Sequence, residues 1–442
     1  MHAIDTIYAL ASAPGKAGVA VLRISGAAAQ KALIFLGVTQ SLVPRMATLV
    51  KLTHEGVILD RALALSFPAP HSFTGEDVIE LHVHGGRAIV RLVLEALGAC
   101  PDVRLAEAGE FTRRAFVNGK LDLLQAEGLA DLIDADSPAQ HAQAMRQLDQ
   151  ATQRIEALRE AVLTPLALLE AYIDFPDEEI PESTLTDTMQ CVDALAKEIG
   201  ALLNDGGFGE KIREGLNIVI FGPPNAGKSS LLNALARRDV AIVSPEAGTT
   251  RDPIEIQVEI GGYAATVIDT AGIREAEGMV EAEGVRRARE RIAHADVRIA
   301  LFDIVTISEF YNQFKEIIDD TTLVIANKSD LQKTPPSRLP SGATPLPMST
   351  KTGEGLVAFV EALRTRIEVL AANASSPLIT RARHREAFSQ ALAALERFSI
   401  HAPLEIMCEE LRLAASEIGK ITGKIHVDDL LDVIFSRFCI GK

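Results

Sequence analysis

Short apolar runs that alternate with polar residues dominate the first part of the chain, and this pattern is typical of half-buried β-strands. The clearest examples are GVAVLRIS at 18–25 and VIELHVHGG at 78–86. Segments with helical spacing lie between such runs. The pattern predicts a small α+β domain over residues 1–118.

A helical pattern of Ala, Leu, Glu, Gln and Arg follows over about 121–200, and it resumes near Ser376 and continues to the last residues. The glycine-rich stretch NDGGFGEKIREG at 204–215 is predicted to be a linker. Because helical sequence flanks a complete domain of another kind, we predict one helical domain in two parts, 119–210 and 371–442.

Between those two parts, apolar strands alternate with helical segments, as in a doubly wound α/β domain. We predict this inserted domain over 215–370, with a helix at 229–238 and a hairpin that turns at Gly261 and Gly262. The predicted strands are LNIVIF (216–221), IEIQVEI (254–260), YAATVID (263–269), VRIALFD (297–303), TLVIAN (322–327) and TPLPMS (344–349).

The composition favours a globular protein and argues against a membrane-spanning, secreted or nucleic-acid-coating one. Of the 442 residues, 48% are hydrophobic and 24% are charged, as in a globular protein with several cores. No apolar run is long enough to span a bilayer, and the polar start does not resemble a signal peptide. Four cysteines without a C-x-x-C pair favour a reduced, cytoplasmic location. A net charge of −16 argues against a protein that coats nucleic acid, so an RNA partner would need a local basic patch or a second, more basic protein.

The segment GPPNAGKS at 222–229 fits the phosphate-binding pattern G-x-x-x-x-G-K-[ST] between a strand and a helix. Its glycines would let backbone N–H groups surround the phosphates. Lys228 would reach the β and γ phosphates, and the Ser229 hydroxyl would bind Mg²⁺. Taken alone, this motif could also be a glycine-rich turn with a chance lysine.

Three further motifs, each after a predicted strand, remove most of that alternative. DTAG at 269–272 offers a carboxylate near Mg²⁺ and a backbone N–H for the γ-phosphate. NKSD at 327–330 offers Asp330, whose carboxylate accepts two hydrogen bonds from guanine that adenine cannot donate. STK at 349–351 completes the base pocket. We therefore predict a site that binds and hydrolyses GTP.

The residue after DTAG is Ile273, which cannot orient the attacking water as the glutamine of small signalling GTPases does. No arginine finger is evident, although Arg251 lies nearby in sequence. A downstream carboxylate is expected to orient the water, and the candidates are Glu275, Glu277, Glu281 and Glu283.

These motifs resemble those of the MnmE (TrmE) family of bacterial and organellar tRNA-modification GTPases, over essentially the whole chain. The most specific segments are HSFTGEDVIELHVHGG (71–86), GEFTRRAFVNGKLDLLQAEGLADLIDADS (109–137), VSPEAGTTRD (243–252) and the final CIGK (439–442). The resemblance implies a multidomain α+β and α/β protein, with an N-terminal folate-binding and dimerisation domain, a discontinuous helical domain and an inserted P-loop GTPase domain.

The resemblance also implies the reaction. A potassium-stimulated GTPase, together with an FAD-dependent partner, adds a carboxymethylaminomethyl or aminomethyl group to C5 of the wobble uridine (position 34) of certain tRNAs. A tetrahydrofolate supplies the one-carbon unit. The implied assembly is a homodimer that forms a heterotetramer with the flavoprotein, acts on tRNA and has no membrane partner.

For the nucleotide site, the resemblance implies that Mg²⁺ is bound by Ser229 and Thr250 and that Glu281 orients the attacking water. The alternative for Glu281 is a solvated acid on an amphipathic helix. Potassium would be bound by Asn225, Ser244 (a threonine in many relatives), Thr249 and the carbonyl of Glu246. The residues expected to contact GTP are Asn225, Ala226, Gly227, Lys228, Ser229, Ser230, Ser244, Thr249, Thr250, Asp269, Thr270, Ala271, Gly272, Asn327, Lys328, Asp330, Ser349, Thr350 and Lys351.

For 5-formyltetrahydrofolate or a related folate, the resemblance implies contacts with Arg23, Glu80, Lys120 and Lys442. A carboxylate such as Glu80 suits the N–H groups of a pterin, and basic residues suit its glutamyl tail. Cys439 would stand near the one-carbon unit as a catalytic nucleophile. A buried structural cysteine is the alternative.

Three other hypotheses stay open from the sequence. Glu80, His82 and His84 share one strand face and could bind a metal, although a half-buried strand with a polar face is the favoured interpretation. Arg113 and Arg114, near Lys120, could contact RNA. The alternative function is a GTP-dependent switch or ribosome-assembly GTPase without folate chemistry, or a GTPase domain on an inert helical dimeriser.

Overall fold

The structure is a computed structural model that describes residues 5–174, 182–236, 255–269, 289–307, 314–331, 339, 343–372, 378–424 and 441. The described residues fall into two compact units. The first unit contains residues 5–130, 147–170, 411–424 and 441. The second contains residues 131–146 and the described residues between 171 and 410.

The first unit contains a six-stranded sheet in the order β3-β4-β5-β2-β1-β6. Neighbouring strands are antiparallel, except that β1 and β6 are parallel. The strands are β1 (Thr6–Leu10), β2 (Ala20–Ser25), β3 (Thr48–His54), β4 (Val57–Phe67), β5 (Val78–Val83) and β6 (Val103–Leu105).

Alternation along these strands separates two faces. On one face, Leu22, Ile24 and Leu81 pack with two helices, α1 (Ala29–Phe35) and α2 (Arg87–Gly98). The opposite face has a smaller core that includes Ile7 and Phe111. The helices that follow the sheet along the chain are α3 (Glu110–Val117), α4 (Leu123–Ile133), α5 (Pro138–Arg146), α6 (Thr152–Asp174) and α7 (Glu182–Leu203), with a π-helical turn at Gln147–Ala151.

The second unit contains a six-stranded sheet in the order β12-β11-β10-β7-β9-β8, parallel except for the antiparallel pair β8 and β9. The strands are β7 (Leu216–Phe221), β8 (Glu255–Ile260), β9 (Tyr263–Asp269), β10 (Val297–Asp303), β11 (Leu323–Asn327) and β12 (Leu346–Pro347). All of the predicted strands are present, and the hairpin turns at Gly261 and Gly262 as predicted.

Apolar residues cover both faces of this sheet, because a strand with helices on both sides must be buried on both. Ile218 and Ile220 pack with Leu231 and Phe359, which lie on the helices α9 (Lys228–Ala236) and α10 (Leu356–Ala372). Val219 and Phe221 pack on the opposite side with Phe302 and Ile292. Helical structure resumes after the sheet as predicted, in α11 (Ala382–Arg397) and α12 (Leu404–Thr422).

The prediction of a linker at 204–215 is wrong for most of that stretch, which forms the helix α8 (Phe208–Glu214). Gly206 and Gly207 have φ of 65° and 71°, so the glycines make the turn that begins the helix. Phe208 and Ile212 lie one helical turn apart, and both are buried in the core of the second sheet. Burial of this apolar pair outweighs the loop-like composition.

In the part of the chain that the structure describes, no helix is long and apolar enough to cross a membrane. The cysteines within this part, Cys100, Cys191 and Cys408, form no disulfide bond with one another. Cys439 lies outside the described residues.

Candidate functional site

The predicted phosphate-binding loop follows the carboxyl end of β7, the edge of a parallel sheet where ligands bind. Gly222 has φ of 149°, and a Cβ atom there would lie 2.0 Å from the carbonyl oxygen of Leu301. Only glycine fits this approach. Lys228 is 5% exposed, and its ammonium group donates hydrogen bonds to the carbonyl oxygens of Gly222 (3.0 Å) and Pro223 (2.9 Å). These two hydrogen bonds hold the loop backbone around the ammonium group of Lys228.

The remaining loop residues are distinguished by their backbone conformation or by their exposure. Asn225 is exposed and has φ of 60°, an uncommon conformation for a residue other than glycine. Gly227 has φ of 102°, and a Cβ atom there would lie 2.2 Å from Nδ2 of Asn327. Ser230 is exposed in the first turn of α9.

Ser229 and Asp269 form the core of the predicted magnesium site. The Ser229 hydroxyl donates to Oδ2 of Asp269 at 2.8 Å, and Asp269 is 1% exposed at the carboxyl end of β9. A hydroxyl and a carboxylate are the hard oxygen ligands that suit Mg²⁺. The other residues predicted for this part of the site lie outside the described residues, namely Ser244, Glu246, Thr249, Thr250, Thr270, Ala271, Gly272 and Glu281.

Asn327 joins the three loops of the predicted base pocket. Its Nδ2 donates to the carbonyl oxygen of Ala226 (2.7 Å) and to Oγ1 of Thr350 (3.3 Å). Its Oδ1 accepts from the backbone N–H of Thr350 (3.0 Å). Asn327 is fully buried, so this single amide fixes the phosphate loop to both base-recognition segments.

Asp330, the predicted guanine acceptor, is exposed and oriented by a neighbouring hydroxyl. The Ser349 hydroxyl donates to Oδ1 of Asp330 at 2.7 Å, and Ser349 is fully buried. The backbone N–H of Thr352 donates in turn to the Ser349 hydroxyl at 3.2 Å. Lys351 is exposed beside this turn. An acceptor fixed in this way is suited to distinguish one base from another.

Asp303, at the carboxyl end of β10, belongs to none of the motifs that predict the nucleotide site. Its Oδ2 accepts a hydrogen bond from Nζ of Lys328 at 2.8 Å. Burial raises the pKa of Asp303, but the hydrogen bonds from Lys328 and from the N–H of Val305 outweigh burial and hold the pKa below its ordinary value. The position of Asp303 at a strand end was the available signal.

In the first unit, the structure brings Arg23 and Glu80 together on β2 and β5, where they are directly opposite in register. Nε and Nη2 of Arg23 both lie 2.9 Å from Oε1 of Glu80. The guanidinium group also lies 5.2 Å from the ring centre of Phe73 and 5.7 Å from that of Phe111. The aromatic rings and the carboxylate together fix the arginine beside the smaller core of this sheet face.

Lys120 lies beside the loop that carries Phe73. A Cβ atom at Gly75 would lie 3.1 Å from Cε of Lys120, so the lysine stem packs on this loop. The Asn118 side chain fixes the loop by donating to the carbonyl oxygen of Thr74 at 2.7 Å. Three of the four residues predicted to bind folate therefore border one region of the sheet.

The fourth, Lys442, lies outside the described residues, as does Cys439. Gly441 is described, and it is buried with φ of 101°. A Cβ atom at Gly441 would lie 2.0 Å from the carbonyl oxygen of Leu10, whose register partner on β2 is Leu22. Gly441 thus packs against Leu10, whose partner Leu22 directly precedes Arg23 on β2.

A chain of ion pairs connects the two long N-terminal motifs. Arg114 donates to Oε2 of Glu76 (3.0 Å) and to Oε1 of Glu110 (2.9 Å), and Arg104 binds both oxygens of Glu110. Ser25 donates to Glu76 at 2.7 Å. Arg114 is only 12% exposed. Arg114 therefore pairs with these carboxylates and is too buried to support the hypothesis that it contacts RNA.

Replacing Glu110 with Gln is expected to destabilise the first unit at neutral pH. Burial raises the pKa of Glu110, but hydrogen bonds from Arg104, the Glu107 N–H and Arg114 lower it to about 2 from 4.5. Because the folded pKa is depressed, the stabilisation is complete above pH 4.5 and is lost as pH falls toward 2. A shift of this size corresponds to about 3 kcal/mol.

Calorimetric unfolding of the E110Q variant at pH 7 and at pH 2.5 checks this prediction. The difference from wild type should be large at pH 7 and much smaller at pH 2.5. The exposed neighbour Glu107 provides the matched variant, E107Q, which should unfold like wild type. A loss of stability in E110Q that does not change with pH would contradict the ion-pair account.

The metal hypothesis for Glu80, His82 and His84 receives no geometric support. Nδ1 of His84 lies 2.8 Å from Oδ1 of Asp60, and Oε1 of Glu80 is bound to Arg23. Nε2 of His82 lies 3.7 Å from Oε2 of Glu80. Across the described ranges, no group of three His, Cys, Asp or Glu side chains is arranged to hold a metal ion.

Comparison with known proteins identifies the family. Residues 6–120 match the model of the GTP-binding protein TrmE N-terminus, and residues 123–439 match that of the MnmE helical domain. The tRNA modification GTPase MnmE of Parvibaculum lavamentivorans is 50% identical over 448 residues, which cover 99% of this chain and 100% of that protein. The protein of the same name from Paramagnetospirillum magneticum is 49% identical with the same coverage. That from the Wolbachia of Brugia malayi is 44% identical, with 100% of both chains covered. These full-length matches confirm the resemblance, and the chain belongs to the MnmE family of tRNA modification GTPases.

Proposed function

We propose that this protein is a GTPase of tRNA modification, which with an FAD-dependent partner adds a carboxymethylaminomethyl or aminomethyl group to C5 of the wobble uridine. The observation that carries the GTPase part is the buried Asn327 amide, which joins the phosphate loop to the base-recognition loops. Membership of the MnmE family supports the tRNA part.

In the proposed mechanism, each residue has one task in GTP hydrolysis. Lys228 brings positive charge to the β and γ phosphates, and the loop backbone surrounds them. Ser229 and Thr250 hold Mg²⁺ close to Asp269. Glu281 orients the attacking water. Asn225, Ser244, Thr249 and the carbonyl of Glu246 would hold potassium, which would supply the positive charge that an arginine finger supplies elsewhere.

We further propose that the open face of the first sheet binds a tetrahydrofolate. Oε1 of Glu80 is occupied by Arg23, which leaves Oε2 for the N–H groups of a pterin. Lys120 and Lys442 offer positive charge for the glutamyl tail. Packing of Gly441 against Leu10 supports a role for the chain end, with Cys439 near the one-carbon unit. In this proposal a homodimer works with the flavoprotein on tRNA, in the cytoplasm.

Calorimetric binding of 5-formyltetrahydrofolate tests the folate site. We expect the full chain to bind, and a variant lacking residues 439–442 to bind at least about tenfold more weakly, because charge-assisted contacts to the ligand are lost. Both proteins should bind GTP equally, which serves as the control for folding. If neither protein binds the folate, the folate proposal fails while the GTPase proposal stands.

A further inference from the structure

Three parallel strands of the second sheet each end in a polar side chain at the nucleotide edge. Strand β9 ends in Asp269, β10 in Asp303 and β11 in Asn327. In open parallel sheets, ligands bind outside the carboxyl ends of the strands. Asp269 and Asn327 belong to sequence motifs for GTP binding, whereas Asp303 belongs to none.

Both carboxylate oxygens of Asp303 are engaged. Oδ1 accepts from the backbone N–H of Val305 at 2.9 Å, and Oδ2 accepts from Nζ of Lys328 at 2.8 Å. Asp303 is also the register partner of Asn327 in the parallel pair of β10 and β11, and the N–H of Ile304 donates to the carbonyl oxygen of Asn327 at 2.8 Å. The end of β10 is thus bound to the start of the base-recognition loop by one backbone bond and one ion pair.

Lys328 has an unfavourable backbone conformation, so an ion pair that fixes its side chain matters more here than for an ordinary surface lysine. Its φ is 63°, which costs free energy for a residue with a side chain, and its side chain is 34% exposed. A lysine side chain also loses rotamer entropy when it is fixed in one conformation. The ionised Asp303, with its lowered pKa, supplies a fixed counter-charge that holds Lys328 in this conformation.

We propose that Asp303 is a positioning residue for guanine nucleotides. It holds Lys328 and, through it, the loop from Asn327 to Asp330 in the conformation that retains bound nucleotide. Asp303 therefore sets the rate of nucleotide release, while Asp330 sets the identity of the base. This inference rests on the proposed GTPase function and adds a determinant of nucleotide residence time.

Release of N-methylanthraniloyl-GDP, a fluorescent analogue, tests the proposal in the full chain. The variant D303N keeps a carbonyl oxygen for the Val305 N–H but removes the negative charge that holds Lys328. We expect D303N to release the analogue about tenfold faster than wild type, the size expected for one charge-assisted hydrogen bond. The KM for GTP should change more than kcat does.

A double-mutant cycle separates positioning from a general structural role. In the background of K328M, adding D303N should change the release rate by less than about twofold, because the partner is already absent. The matched control is D319N, which breaks the ion pair of Arg298 with Asp319 in the same unit at 2.5 Å. This control should release nucleotide at the wild-type rate.

Each other outcome overturns the inference in a distinguishable way. If D303N releases nucleotide at the wild-type rate, or if its effect persists in the K328M background, Asp303 does not act through Lys328. If D319N accelerates release as much as D303N, any ion pair of the sheet would suffice and Asp303 has no special role. If the wild-type chain does not bind the analogue at all, the proposed GTPase function is wrong, and the inference about Asp303 is wrong with it.

Discussion

Replacing Asp330 with Asn is expected to lower kcat/KM for GTP by about 10³-fold and to transfer preference to xanthosine triphosphate. In the proposed site, the carboxylate of Asp330 would accept hydrogen bonds from guanine N1–H and from the 2-amino group. An asparagine amide instead presents one donor and one acceptor, which match the C2 carbonyl and the N–H of xanthine. The Ser349 hydroxyl, which donates to Asp330, holds either side chain in place.

Steady-state hydrolysis of both nucleotides by wild type and D330N measures this exchange. The exposed Asp320 lies in the same unit, so D320N is the matched control and should keep the wild-type preference for GTP. If D330N still hydrolyses GTP at the wild-type rate, the assignment of Asp330 as the guanine acceptor is wrong.

Replacing Lys228 with Ala is expected to lower kcat/KM for GTP by about 10³-fold or more, because fixed charge at the transferring phosphate is removed. Lys228 also shapes the loop, since its ammonium group donates to the carbonyl oxygens of Gly222 and Pro223. Loss of these bonds leaves the two carbonyl oxygens of the loop without the charged donor that holds them. The effect should therefore appear in both nucleotide binding and kcat.

Lys211 offers a matched control for this experiment. It is 40% exposed on α8 and pairs with Asp296 at 3.1 Å. The variant K211A should hydrolyse GTP like wild type in the same phosphate-release assay. Activity of K228A within tenfold of wild type would mean that the phosphate loop does not hold the reacting nucleotide.

The phosphate loop and the strands around it could be predicted from sequence because their chemistry is local. Gly222 and Gly227 have backbone conformations that favour glycine, and Lys228 donates hydrogen bonds to carbonyl oxygens of its own loop. Asn327 could be identified from its motif, but its bond to the carbonyl oxygen of Ala226 joins residues about a hundred positions apart. Such a bond depends on the order of the strands in the sheet.

Asp303 was missed for the same reason. Nothing near it in sequence indicates that Lys328 is its partner, and the pairing follows only from the parallel register of β10 and β11. The helix α8 was mistaken for a linker because four glycines outweighed the single buried pair, Phe208 and Ile212. The sequence also left open that Arg114 contacts RNA, but in the folded chain Arg114 lies between Glu76 and Glu110 and pairs with both.

The folate residues came from family resemblance rather than from residue patterns. Arg23 and Glu80 are 57 positions apart, and only the pairing of β2 with β5 makes them neighbours. Their roles remain a prediction for the binding experiment. Glu281, Cys439 and the potassium ligands Ser244, Glu246 and Thr249 lie outside the described residues, so their assignments also stay predictions.

In the proposed function, GTP hydrolysis by this chain serves tRNA modification. The most direct test expresses wild type, K228A and K211A in a bacterium that lacks its own MnmE-family gene, and then measures modified wobble uridine in total tRNA by mass spectrometry. We predict that wild type and K211A restore the C5-modified uridine and that K228A does not. Equal restoration by K228A, or none by a wild-type protein that hydrolyses GTP, would contradict the account.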